Sequence, residues 1–160
     1  MSSRDAALLA PDVRARWDQH RLDAKAQGIV LALTCTLRTL VEQAAEYAKG
    51  RTTAGVPCLH RGDARRRVVG TCPVHPLGAT VTAAPPGYSW HNYGRAYDVA
   101  ITYFPGDLAP SDVYDGPWGV VGSLGEAAGM EWGGRWKRGD TPHFEHHGGL
   151  TLAQARGSGA

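Results

Sequence analysis

Apolar and polar positions along this 160-residue chain change rhythm several times, and each rhythm predicts an element. In PDVRARWDQHRLDAKAQG, Val13, Trp17 and Ala24 recur at helical spacing, with Pro11 near the start and Gly28 as a stop; a first helix is expected there. The next run, IVLALTCTL from Ile29 to Leu37, is short, apolar and followed by polar residues, which predicts a buried strand. Thr39 precedes Glu42 at capping-box spacing, and LVEQAAEYAK leads to Gly50, so a second helix is expected from Leu40 to Lys49. From Thr52 to Pro86 the periodicity is lost among Gly, Pro, Thr and Arg; this reads as a long surface insertion with one short hairpin. YDVAITYF, Tyr97 to Phe104, alternates as a strand. DGPWGVVGSLGEAAG predicts a third helix opening near Pro117, with Val120, Val121 and Leu124 on one face and Gly129 at the stop. A Gly-rich loop within MEWGGRWKRGDTPHFEHH then leads into a short strand carrying His143, and the tail ARGSGA is expected to fray.

A few strands mixed with about three helices in irregular order predict an α+β domain. The length suits one core, so a single domain is expected over residues 1–150, with an insertion at about 52–86 and a flexible tail at 151–160. The net charge of +2, from 17 Lys and Arg against 15 Asp and Glu, sets up no strong field, and nucleic acid is not an expected partner. No apolar run approaches the roughly 20 residues that span a bilayer. The N-terminus, MSSRDAALLAPDVRARWDQH, meets charged residues before any apolar stretch of signal-peptide length, so synthesis in the cytoplasm without export is expected. Three cysteines, Cys35, Cys58 and Cys72, leave an odd thiol whatever the pairing, a pattern that suits a reducing compartment. A monomer is expected.

The chemistry concentrates in SWHNYGRAYD, Ser89 to Asp98. His91 and Asp98 are metal-donor types, and seven residues is too far for one helical face, so the segment must turn. Gly94 permits the turn, after which Asp98 enters a strand; a loop donor and a strand donor can thus meet. The spacing alone also fits a hydrogen-bonded structural pair. In DTPHFE, Asp140 stands three residues before His143 with Pro142 restricting the backbone between them. A carboxylate beside a ligand histidine can take a proton from water while a metal polarises a carbonyl. The plainer alternative has Asp140 capping a turn and His143 filling a strand face.

SWHNYGRAYD matches without a gap the Ser-x-His-x-x-Gly-x-Ala-x-Asp signature of the zinc D-alanyl-D-alanine peptidase family, peptidase family M15, which contains VanY- and VanX-type enzymes and phage endolysins. EWGGRWKRGDTPHFE resembles the family's L-alanyl-D-glutamate endopeptidase branch, in which Trp-Gly-Gly precedes Asp-x-x-His-Phe. LRTLVEQAAEYAKGRT resembles the Arg-containing strand-to-helix stretch that precedes the signature in that branch. The resemblance runs from about Leu31 to Glu145, with the insertion as its main departure. It implies a compact sheet with flanking helices, one catalytic zinc ion held by His91, Asp98 and His143, Asp140 as general base, and Arg38 stabilising the oxyanion, a role that suits its fixed charge. Ser89 as a substrate-binding hydroxyl and Gln43 as a cleft residue follow from the same resemblance. Glu131 and Glu145 rival Asp140 as base.

Several other residues keep two readings. Trp132 and Trp136 fit either a cleft wall or core packing. His146 and His147 are expected outside the metal shell. The run Arg65 to Arg67 fits a solvated loop or an anion-attracting patch. Cys58 and Cys72, with His60 and His75, are open to a second zinc, a disulfide or free thiols. Cys35 reads as a core residue.

The expected function is zinc-dependent cleavage of the L-Ala/D-Glu bond in the peptidoglycan stem peptide, as by a phage endolysin that lyses its host after the membrane is permeabilised. The same ligand set serves D-alanyl-D-alanine carboxypeptidases and dipeptidases, and a non-catalytic, zinc-containing cell-wall-binding module is the alternative from another class.

Overall fold

A computed structural model describes residues 3–49, 51–53, 56–57, 80–106 and 116–157. Helix α1 spans Pro11–Ala26 and buries one stripe, Val13, Trp17, His20 and Ala24. Strand β1 (Val30–Cys35) follows, then α2 (Leu40–Ala48). The box expected at the start of α2 is present in full: Thr39 Oγ1 accepts from Glu42 N, and the Glu42 carboxylate accepts from Thr39 N. Strands β2 (Arg51–Thr53) and β3 (Val56–Pro57) make the short antiparallel hairpin expected of the insertion. Cys58, Cys72, His60, His75 and Arg65 to Arg67 lie outside the described residues.

A 3-10 turn at Trp90–Tyr93 leads into β4 (Ala96–Tyr103). Then come α3 (Trp118–Ala127), β5 (Glu131–Trp132), a second 3-10 turn at Gly133–Arg135, β6 (His143–Glu145) and α4 (Leu152–Gly157). The four-stranded sheet has the order β1-β4-β6-β5 and is antiparallel throughout. Its two faces separate structure from chemistry. Side chains alternate along a strand, so Tyr97, Val99 and Ile101 of β4, Phe144 of β6 and Trp132 of β5 pack into the core with α1 and α3. Burial of each such large apolar side chain contributes about 1.5–3 kcal/mol. The intervening residues, Asp98 on β4 and His143 and Glu145 on β6, occupy the opposite face.

Two expectations needed revision. The buried stripe of α3 is Trp118, Val121, Gly122 and Gly125, while Val120 is 45% exposed. The pattern of large apolar residues misplaced this face because two of its members are glycines, present so that the Trp132 and Phe144 rings can lie directly against the helix backbone. The segment expected to fray carries α4, with Ala155 buried in a small cluster with Trp90 and Ala96. Its start is a capping box that sequence reading passed over: Thr151 Oγ1 accepts from Gln154 N, and Gln154 Oε1 accepts from Thr151 N.

Candidate active site

The register of the sheet builds most of the site. Cys35, Asp98 and His143 are cross-strand partners in one row over β1, β4 and β6, and Ala96, Glu145 and Glu131 form the next row over β4, β6 and β5. His91 arrives from the 3-10 turn. That turn ends at Gly94 in the left-handed region, φ 64°, where a Cβ would strike the Leu8 carbonyl. Only glycine suits both demands. The chain then reverses into β4, so that seven residues of sequence return Asp98 to within hydrogen-bonding distance of His91. Ala96, fully buried between them, packs with Trp90 and Ala155.

Three donor atoms converge. His91 Nε2 lies 3.2 Å from Asp98 Oδ1 and 3.3 Å from His143 Nδ1, and His143 Nδ1 lies 3.0 Å from Asp98 Oδ1. Their outward nitrogens are committed elsewhere. His91 Nδ1 donates to the Thr36 carbonyl at 2.8 Å, and His143 Nε2 donates to Glu145 Oε2 at 2.9 Å. In their neutral forms both histidines therefore direct lone pairs at the Asp98 carboxylate. Three acceptors that face one another require a cation or added protons.

The electrostatics agree. Burial disfavours a charged His91, but the Asp98 charge overcomes it and pushes the imidazole well above its ordinary range. His143 is likewise raised against burial by its bonds to Asp98 and Glu145. The separations fit a small tetrahedral divalent ion, for which metal–nitrogen bonds of about 2.0–2.1 Å set donors about 3.3 Å apart. Cys35, Asp98 and His91 also come together, their donor atoms within 4.8 Å of one another. The Cys35 sulfur, however, lies 3.5 Å from His91 Nδ1, the nitrogen already engaged by Thr36.

Around the donors lies a cleft of about 400 Å³ bordered by Arg38, Tyr88, Ser89, Trp136 and Asp140. Arg38 Nη2 stands 4.0 Å from Asp98 Oδ2, and Nη1 donates to Gln43 Oε1 at 3.1 Å. Gln43 is wholly buried and does not border the cleft; its amide also donates to the Ala84 carbonyl at 2.7 Å. It thus ties the arginine to the cleft wall. Ser89 borders the cleft at the cap of the 3-10 turn without giving its hydroxyl to the turn.

Asp140 is set by the Trp-Gly-Gly segment. Asp140 N donates to the Gly133 carbonyl at 2.9 Å, and a Cβ on Gly133 would meet the Asp140 carbonyl at 2.7 Å and His143 Cβ at 3.2 Å. The buried Trp132 holds the same loop through Nε1 to the Thr141 carbonyl, 2.9 Å. Trp132 is therefore a packing residue, whereas Trp136 borders the cleft 5.1 Å from the His143 ring.

The rival carboxylates differ from Asp140. Burial raises Asp140, whereas Glu145 is lowered despite burial by its hydrogen bonds from His143 and His147. Glu131 is occupied by Trp136 Nε1 at 2.9 Å. Asp140 combines a place on the cleft with a raised proton affinity.

Comparison with known proteins gives this arrangement its class. A family model described as D-alanyl-D-alanine carboxypeptidase matches residues 82–146, which include the three converging donors and Asp140. The peptidoglycan L-alanyl-D-glutamate endopeptidase CwlK of Bacillus subtilis strain 168 is 32% identical over 144 residues, covering 86% of this chain and 72% of the relative. The chain belongs to the M15 peptidase family. The crystal structure of the Serratia marcescens L-Ala D-Glu endopeptidase ChiX shares the fold, with a TM-score of 0.51 and 16% identity over 98% of this chain and 92% of the other.

Proposed function

We propose that the protein is a zinc-dependent peptidoglycan endopeptidase that hydrolyses the L-Ala/D-Glu bond of the stem peptide. The observation that carries the proposal is the convergence of His91 Nε2, Asp98 Oδ1 and His143 Nδ1 beside a carboxylate of raised proton affinity and an arginine. The choice of bond is supported by CwlK, whose name gives that activity.

Zinc held by the three donors would supply Lewis acidity and lower the pKa of water. Asp140 accepts a proton from the attacking water as its oxygen bonds to the peptide carbonyl carbon. The same carboxyl then delivers that proton to the departing amine as the carbon–nitrogen bond breaks, which balances the hydrolysis. Arg38, fixed by Gln43, presents positive charge to the oxygen that becomes an oxyanion.

The description of the family model favours a second reading, removal of a terminal D-Ala. Mass spectrometry of soluble products from purified peptidoglycan, with and without a chelator, separates the two. Chelator-sensitive fragments ending in L-Ala and beginning with D-Glu are expected. Free D-Ala would establish the carboxypeptidase, and no chelator-sensitive product would leave a binding module.

The proposal extends to a lytic role, in which the enzyme reaches the wall once the membrane is permeabilised. That part rests on the resemblance of the Ser89 to Asp98 signature to a family that includes phage endolysins. Clearing of permeabilised but not intact cells on expression of the protein tests it.

A further inference from the structure

We propose that Glu145 is a positioning residue that fixes the tautomer and ring orientation of His143 for metal binding. The inference rests on the metal-centre reading above and concerns a residue that touches neither the converging atoms nor the reacting bond.

Glu145 sits two residues beyond His143 on β6, so both side chains rise from the same sheet face. Its Oε2 accepts from His143 Nε2 at 2.9 Å, on the side of the ring opposite Nδ1. That bond keeps the proton on Nε2 and leaves the Nδ1 lone pair directed at Asp98 and His91. A carboxylate behind a ligand imidazole both orients the ring and raises its basicity.

Glu145 is itself braced. Its Oε1 accepts from His147 Nε2 at 2.8 Å, and the His147 ring stacks on Trp90 with centroids 4.5 Å apart and planes 19° apart. Trp90 precedes the ligand His91 in the 3-10 turn. The path Glu145–His147–Trp90 therefore links the strand that carries one ligating histidine to the turn that carries the other. Glu131, the cross-strand neighbour of Glu145, leaves this position to it, because Trp136 Nε1 holds Glu131 at 2.9 Å. With both oxygens engaged by histidines, Glu145 is suited to holding a ring still and unsuited to shuttling protons.

The test compares the full-length wild type with Glu145→Ala and Glu145→Gln, reading zinc affinity by competition with a chromophoric chelator and the visible spectrum of cobalt-loaded protein. Glu145→Ala is expected to weaken zinc binding about 10–100-fold and to move the cobalt bands. Glu145→Gln keeps an acceptor for the ring N–H and is expected to recover much of the affinity. A structural role alone would lower the melting temperature of all forms without moving the cobalt bands. Zinc affinity of Glu145→Ala within about twofold of the wild type, or no recovery in Glu145→Gln, overturns the inference while the metal centre stands. A wild type that binds no zinc overturns the metal-centre reading, and the inference with it.

Discussion

Asp98 and Asp140 border one cleft, yet their proton affinities are driven apart. Burial raises both. At Asp98 the charge of protonated His91 and the hydrogen bond that protonated His143 donates overcome burial and hold the carboxyl far below its ordinary range, and a cation among the three would act in the same direction. At Asp140 burial prevails over the weaker pull of His143, and the nearby Asp98 charge adds to it. One carboxylate is thereby fitted to stay charged and the other to take up and release a proton, a division of labour that environment alone produces.

Replacing each aspartate separates these roles. Asp140→Asn is expected to lower turnover about 10²–10⁴-fold while metal stoichiometry stays at the wild-type level. Asp98→Asn is expected to lose the metal itself. Elemental analysis beside a peptidoglycan-release assay reads both, and unchanged turnover in Asp140→Asn would remove it from the reaction.

Gln43→Ala removes the acceptor of Arg38 Nη1 and the donor to the Ala84 carbonyl from a fully buried position. A stability loss of about 1–3 kcal/mol follows from the unmade hydrogen bonds. Loosening of Arg38 should also lower kcat, by up to about 100-fold, with metal binding unaffected. Urea denaturation and steady-state kinetics measure the two effects, and a kcat equal to the wild type would show that Arg38 keeps its place without Gln43.

His20 makes stability depend on pH. Burial pushes it from the ordinary 6.5 down to about 4, and its nitrogens stand 2.9 Å from Tyr97 Oη and 3.0 Å from the Val121 carbonyl. A depressed folded value means that the unfolded chain binds the extra proton first. The contribution of this group is therefore complete above pH 6.5 and is lost as pH falls toward 4. Between about pH 7 and pH 5 the loss is about 2 kcal/mol. Urea denaturation of the wild type against His20→Gln should show that difference in slope, and parallel curves would remove His20 as its source.

Gly125→Ala tests the close approach of α3 to the sheet. Alanine gains about 1 kcal/mol of helix propensity over glycine. Its Cβ, however, would overlap the Phe144 ring and come within 3.2 Å of His20 Cε1. Overpacking of this kind costs about 1–3 kcal/mol, so net destabilisation of up to about 2 kcal/mol is expected. A thermal melt of the variant is the check, and a raised melting temperature would mean that the helix moves away at little cost.

Much of this is legible in the sequence. Thr39 and Glu42 announced α2, and the fixed residue types from Ser89 to Asp98 announced a turn into a strand, because local hydrogen bonds and backbone preference act over a few residues. In sequence, Glu145 stands only as a rival base. Its bond to His143 depends on the orientation of that ring, which contact with Asp98 on the neighbouring strand sets, and no local spacing encodes that. Gln43 was expected at the cleft surface, yet it is buried, because the Ala84 carbonyl that covers it lies 41 residues away. The face of α3 was misread where glycines stand for absent side chains. In the α4 segment, Thr151 and Gln154 carried a legible cap that the Gly-rich ending obscured.

Strand β4 interleaves scaffold and chemistry residue by residue, with Tyr97, Val99 and Ile101 on one side and Asp98 on the other. Inserting or deleting a single residue there would exchange the two sets, exposing the core side chains and burying the aspartate among them. A change of length in the loops around this sheet causes no such exchange. Any libraries built to retune the enzyme should hold that strand's length constant.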